Sequence, residues 1–211
     1  MEDYSDFRCP WVSIKDIWHK AEGFRSGYWP EDTLPIDMEK IVERKLGLEI
    51  VPEQDMLQER DIDAYLKVDL TGVVVDYDCF MEDRFSTRMR FSYAHEIGHY
   101  VLHKEVYAQL PITDPEEWMN FVLTVPEKKY RFLEYQSNEF AGRLLVPRSK
   151  LIEEVEKSVE LIKATGLENH LSEDPTSVLG NISTALGKPF GVSFKVIERR
   201  VEREKLWPPE I

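Results

Sequence analysis

Apolar residues recur at three- and four-residue intervals through most of the chain and run continuously only near its middle. Ser13 is suited to cap a short helix carrying Ile14, Ile17 and Trp18, in an N-terminal segment, 1–33, that is rich in tryptophan. Pro30 and Pro35 break the chain. Met38, Ile41, Val42 and Leu46 then share one side of a helix over about 37–46, with Gly47 as its stop. Residues 48–51 read as a short strand. Two more strands are expected in 64–77, with Thr71 and Gly72 near their junction and Val73 to Val75 as a buried run.

Helical spacing returns from about Ser92 to His103. Asp114, Pro115 and Glu117 look like the capped start of a helix carrying Trp118, Phe121 and Val122. Further helices are predicted over about 129–145 and 149–164, the second with Leu151, Ile152, Val155, Val159 and Ile162 on one stripe. Beyond Pro175 two short helical patterns flank residues 187–191. Helices, then strands, then helices make an α+β chain with a small mixed or antiparallel sheet, not an alternating parallel one.

Composition narrows the function classes. The 211 residues are 42% hydrophobic and 11% aromatic, enough to fill a core. Twenty-seven basic against 40 acidic residues leave a net charge of −13. That balance disfavours direct binding to nucleic acid or to an anionic membrane surface. Cys9 and Cys79 stand alone, too few for a disulfide framework or a thiolate cage, which suits a reducing, cytoplasmic setting. The acidic start does not resemble a signal peptide, and no apolar run is long enough to span a bilayer.

The chemistry concentrates in one helix. His95 and His99 are four residues apart, so their imidazoles project from one face and both can reach one tetrahedral metal ion. Glu96 is turned by about 100° from the first histidine, where it addresses a water instead of the metal. His-Glu-x-x-His thus supplies two zinc ligands and a general base. Chance would produce such a pattern in this composition about once in seventy such chains.

Catalytic zinc usually takes a third protein ligand. No histidine lies six residues beyond His99, so the ligand is sought on the helix over 129–145. There Glu134, Asn138, Ala141 and Leu145 form one face, beside small Ala141 and Gly142 that permit close packing. Glu134 is the better candidate, and Glu139 the competing one, about 140° away. His103, one turn past His99, is a candidate for outer support, for oxyanion stabilisation or for packing. His19 and His170 read as surface residues.

With both helices in view, the sequence resembles the ImmA/IrrE family of metallopeptidases. The resemblance rests on residues 90–103, Arg-Phe-Ser-Tyr-Ala-His-Glu-Ile-Gly-His-Tyr-Val-Leu-His. It rests equally on residues 134–147, Glu-Tyr-Gln-Ser-Asn-Glu-Phe-Ala-Gly-Arg-Leu-Leu-Val-Pro. Residues 34–37 and the helix leading to Leu48 also resemble the family's opening, so the resemblance spans about 34–165. It implies a zincin-like core with His95, His99 and Glu134 as metal ligands and Glu96 as catalytic base. Ser137 stands where alanine is usual, and Gln136 where many members carry another acid.

The resemblance further implies a regulatory endopeptidase whose partner is a protein substrate, a helix-turn-helix transcriptional repressor. The alternative is a metal-binding regulatory or toxin–antitoxin-type protein without proteolysis. Zinc is the expected ion; Mn²⁺ and Fe²⁺ use the same ligands. Tyr93, His103, Tyr130 and Tyr135 are candidate oxyanion stabilisers, with Asn138 an outer-shell candidate. Residues 104–133 are expected to form a lid or a partner-binding insertion. The tail, 166–211, is a helical extension that looks like a helix-turn-helix remnant, with Ser193 capping its second helix. The acidic charge would suit a substrate with a basic surface.

Overall fold

The computed structural model describes residues 4, 7–110, 112 and 115–209, which form twelve α-helices and one three-stranded sheet. The sheet is mixed. Strands β1 (Glu49–Glu53), β2 (Ala64–Leu66) and β3 (Gly72–Asp76) lie in the order β1-β3-β2, with β3 parallel to β1 and antiparallel to β2. All five residues of β3 are buried, as its valine run predicts for a central strand. Gly72 is needed at its start, because a Cβ there would meet the Glu49 carbonyl oxygen at 2.7 Å. β2 is left as an edge strand.

Helix α1 (Ile14–Tyr28) begins as expected, with the Ser13 side chain accepting from the Asp16 N–H at 3.1 Å. It runs longer than its opening pattern suggests because Ala21, Phe24 and Arg25 extend the buried stripe begun by Ile17. Helix α2 (Met38–Lys40), capped by Asp37, continues as a π-helical turn over Ile41–Lys45. Gly47 follows at φ +69°, where a Cβ would be strained.

Two five-residue helices, α3 (Met56–Arg60) and α4 (Tyr77–Met81), were not predicted; each is too short to show a 3.6-residue period. Helix α5 (Ser86–Leu102) starts well before Ser92. Its first turns carry Ser86, Thr87, Arg88 and Arg90, and that polarity hides them from an apolar count.

Residues 104–133 hold α6 (Lys104–Tyr107), α7 (Pro115–Thr124) and the start of α8 (Glu127–Leu145). The expected capping box rests on Asp114, which lies outside the described residues. The helix predicted over 149–164 is α9 (Arg148–Ala164). The tail holds α10 (Glu168–Glu173), α11 (Pro175–Gly187) and α12 (Phe194–Glu204). Ser193 is the N-cap residue of α12, but its side chain makes no capping hydrogen bond.

Helix α8 is the hub. Every residue from Glu139 to Leu145 is buried, between α5 on one side and α1 on another. Small residues set the α5–α8 approach: a Cβ on Gly98 would lie 3.0 Å from both the Cα and the carbonyl oxygen of Ser137. Phe24 of α1 meets Phe140 edge-on at 5.9 Å, and Arg25 Nη1 donates to the Leu144 carbonyl at 3.0 Å near the open end of α8. Helix α12 is pinned to α8 through the buried Glu204 carboxylate, which receives Arg143, Arg148 and Arg200. Among the described residues no helix is long and apolar enough to cross a membrane.

Candidate metal centre

His95 and His99 lie one turn apart on α5, and Glu134 faces them from α8 across the approach set by Gly98. Their Nε2 atoms are 3.0 Å apart. Glu134 Oε2 is 3.1 Å from His95 Nε2, and Oε1 is 3.4 Å from His99 Nε2. All three potential ligand atoms fall within 4.8 Å of one another. Two imidazole nitrogens this close to each other and to the oxygens of one carboxylate make a donor set that fits a divalent metal ion.

The electrostatics agree. Burial alone would lower the His95 pKa, yet Glu134 and Glu96 carry it up to about 9. Burial would raise the Glu134 carboxyl, but the two imidazoles outweigh it and hold it well below the usual range. The cluster is built for positive charge.

Behind the candidate ligands, His99 Nδ1 lies 3.2 Å from His103 Nδ1. His103 is 1% exposed, and burial, reinforced by His99, lowers its pKa to about 3. It is therefore neutral. If His99 Nε2 faces a metal, its Nδ1 carries the hydrogen and donates to His103, fixing the tautomer. Gln136, also buried, adjoins His103 and donates from Nε2 to the Pro10 carbonyl at 3.0 Å. A second acid at that position would be buried beside the carbonyl it now serves.

Glu96 is buried at 6% exposure, and desolvation raises its pKa against the pull of His95 and His99. Its Oε2 accepts from the Leu66 backbone N–H at 2.8 Å. The Leu66 N–H thus points away from β3. By strand alternation, the N–H and C=O of Ala64 face the same free edge.

A cleft of about 480 Å³ opens over these groups, walled by Ala64 and Tyr65 of the edge strand, by Trp118 and Val122 of α7, and by Tyr107 and Tyr130. Burial, reinforced by the nearby Glu96 and Glu134 carboxylates, pushes Tyr107 and Tyr130 upward in pKa, so their hydroxyls are hydrogen-bond donors.

Other sequence candidates fall elsewhere. Tyr93 is buried on another side of α5, near Glu39 and Glu43, and does not line the cleft. It is two residues from His95, about 200° around the helix. Glu139 accepts from Arg203 at 3.0 Å, and Tyr135 packs beside Arg203 and Phe132, so neither joins the cluster. Asn138 donates to the Glu134 carbonyl at 2.9 Å and supports the His95 ring. His19 and His170 are exposed. Tyr107 and the Leu66 N–H were not anticipated. One sits on a four-residue helix and the other is main chain, so neither leaves a pattern.

The profile of the IrrE N-terminal-like domain, Peptidase M78, matches residues 82–202. The chain belongs to this family. The match takes in both helices of the metal cluster and reaches into α12, so most of the tail lies inside the family region. Membership points to metallopeptidase chemistry. Among solved structures, a Mycobacterium tuberculosis transcriptional regulator shares the fold, with a TM-score of 0.54 at 16% identity. The alignment covers 89% of this chain and 46% of that one, so the chain spans less than half of that regulator's length. No curated protein matches the chain.

Proposed function

We propose that this Peptidase M78 chain is a zinc-dependent endopeptidase that cleaves a helix-turn-helix transcriptional repressor. The observation that carries the reading is the convergence of His95, His99 and Glu134 in a cleft that also holds the buried carboxylate of Glu96.

In this reading His95 Nε2, His99 Nε2 and the Glu134 carboxylate hold the ion. Zinc bound there supplies Lewis acidity, polarising the scissile carbonyl and easing deprotonation of water. Glu96 is the general base. With Oε2 fixed by the Leu66 N–H, it takes the attacking water's proton and then delivers it to the leaving nitrogen. Its raised pKa helps the first step, since the conjugate base of a weaker acid takes a proton more readily.

The free edge at Ala64 offers an N–H and a C=O to a substrate backbone, which would lie extended beside β2. Tyr130 and Tyr107 replace Tyr93 as candidate donors to the developing oxyanion. His103 and Asn138 position the two imidazoles. The charge of −13 suits a substrate with basic surfaces.

Incubating the zinc-loaded chain with a helix-turn-helix repressor encoded beside it, and mapping fragments by mass spectrometry, tests the substrate. Cleavage at one bond is expected. A repressor left intact while the zinc site is filled would overturn the substrate assignment.

A further inference from the structure

A second cavity, about 580 Å³, lies between α5, α8 and α12 and shares Asp63, Phe91 and Ser92 with the metal cleft. Its charge is opposite to that of the chain. Five basic side chains, Arg84, Arg88, Lys195, Arg199 and Arg200, line it against two acids, Asp63 and Glu139. Both acids are already committed, Asp63 to Arg88 and Glu139 to Arg203, and Arg84 is paired with Glu82, so the unmatched charge is chiefly that of Lys195 and Arg199. Lys195 and Arg199 are exposed and have no carboxylate partner among the described residues.

Two helix N-termini reach the same cavity. Thr87 and Arg88 belong to the first turn of α5, and Ser193 and Lys195 to the start of α12. Neither start has a side-chain cap, and neither first turn contains an acid. Acids normally occupy that place, because the end of the helix carries partial positive charge. Here arginine and lysine stand there instead.

Arg200 gives the independent sign that a partner is missing. It lines the cavity at 2% exposure, with Nη2 bonded to Glu204. Its Nε and Nη1 are buried with no hydrogen-bond partner. Glu204 cannot compensate it alone, since the same carboxylate receives Arg143 and Arg148. The guanidinium keeps its ion pair and lies over the Trp18 ring, but two buried donor nitrogens without an acceptor are costly, and an anion close by offsets the surplus positive charge.

We propose that this cavity binds a small organic anion, a phosphate or carboxylate headgroup on an apolar body. Lys195, Arg199 and the two helix starts take the headgroup, with Arg200 reinforcing them from the buried wall. Phe91, Val196 and the face of Gly142 take the body. The volume is that of a small-molecule site. The shared wall places the ligand beside the metal cleft, and the assignment stands whether or not the chain is a peptidase.

Calorimetric titration of the full zinc-loaded chain with phenyl phosphate, phenylacetate, inorganic phosphate and benzyl alcohol tests it. One saturable site is expected for phenyl phosphate or phenylacetate, whichever headgroup fits, tighter than for inorganic phosphate. Benzyl alcohol should not bind. The Lys195→Glu/Arg199→Glu variant, altered only at exposed positions, should bind the aryl anion at least tenfold more weakly with unchanged zinc content. Three outcomes overturn the proposal: no saturable binding of either aryl anion, equal binding by the charge-reversed variant, or binding lost in Glu134→Ala, which would place the anion on the metal.

Discussion

His99 and His103 meet through their Nδ1 atoms, 3.2 Å apart in the buried layer behind the metal cluster. In the proposed metal site, His99 is thus oriented by a histidine outside the ligand triad. Replacing His103 with Phe leaves the His99 Nδ1–H without an acceptor and its ring free to turn. Zinc affinity is expected to fall by about 10- to 100-fold, read by competition with a chelator. An unchanged affinity would show that His103 only fills space.

The spacing of α5 and α8 fixes how Glu134 faces the two histidines. In Gly98→Ala the new methyl meets backbone atoms of Ser137 at 3.0 Å, and backbone cannot swing aside. The helices must separate. A loss of about 1–3 kcal/mol in urea unfolding is expected, together with weaker zinc binding. A stability loss without any change in zinc affinity would mean that the site tolerates the shift.

Acid sensitivity is expected at the turn from β3 into α4. Burial would raise the Asp76 pKa, but the N–H groups of Leu57 and Cys79, each 2.9 Å from its carboxylate, hold it below the usual value. A lowered folded pKa stabilises the protein above the unfolded value of about 3.9, and that stability is lost as pH falls through the folded one. Asp76→Ala is expected to lose about 2 kcal/mol at pH 7, in the range for bonds to a charged cap. Its deficit against the wild type should shrink below about pH 4 in denaturant titrations. A deficit independent of pH would assign the effect to packing.

Much of the architecture was legible because period and burial coincide. The stripe Leu151, Val155, Val159 and Ile162 marked α9, and Val73 to Val75 marked the central strand. The N-terminal half of α5 was hidden by polar residues, of which Thr87 and Arg88 line the second cavity and Arg90 donates to the Ile36 and Gly191 carbonyls. The cleft was legible only where chemistry is tied to spacing. His95, Glu96 and His99 are fixed by helix geometry, and Glu134 by the small residues on its own helix. Tyr93 misled because adjacency in sequence is not adjacency in space on a helix. The Leu66 N–H on Glu96 could not be read at all, since main-chain donors carry no sequence signature.

Whether Glu96 is the proton acceptor is decided by the cleavage rate of zinc-loaded Glu96→Gln against the wild type. Gln keeps the size of the side chain and its acceptor for the Leu66 N–H but cannot take a proton. A filled zinc site and cleavage reduced by at least about 10²-fold are expected. Undiminished cleavage by the zinc-loaded variant would contradict that role for Glu96.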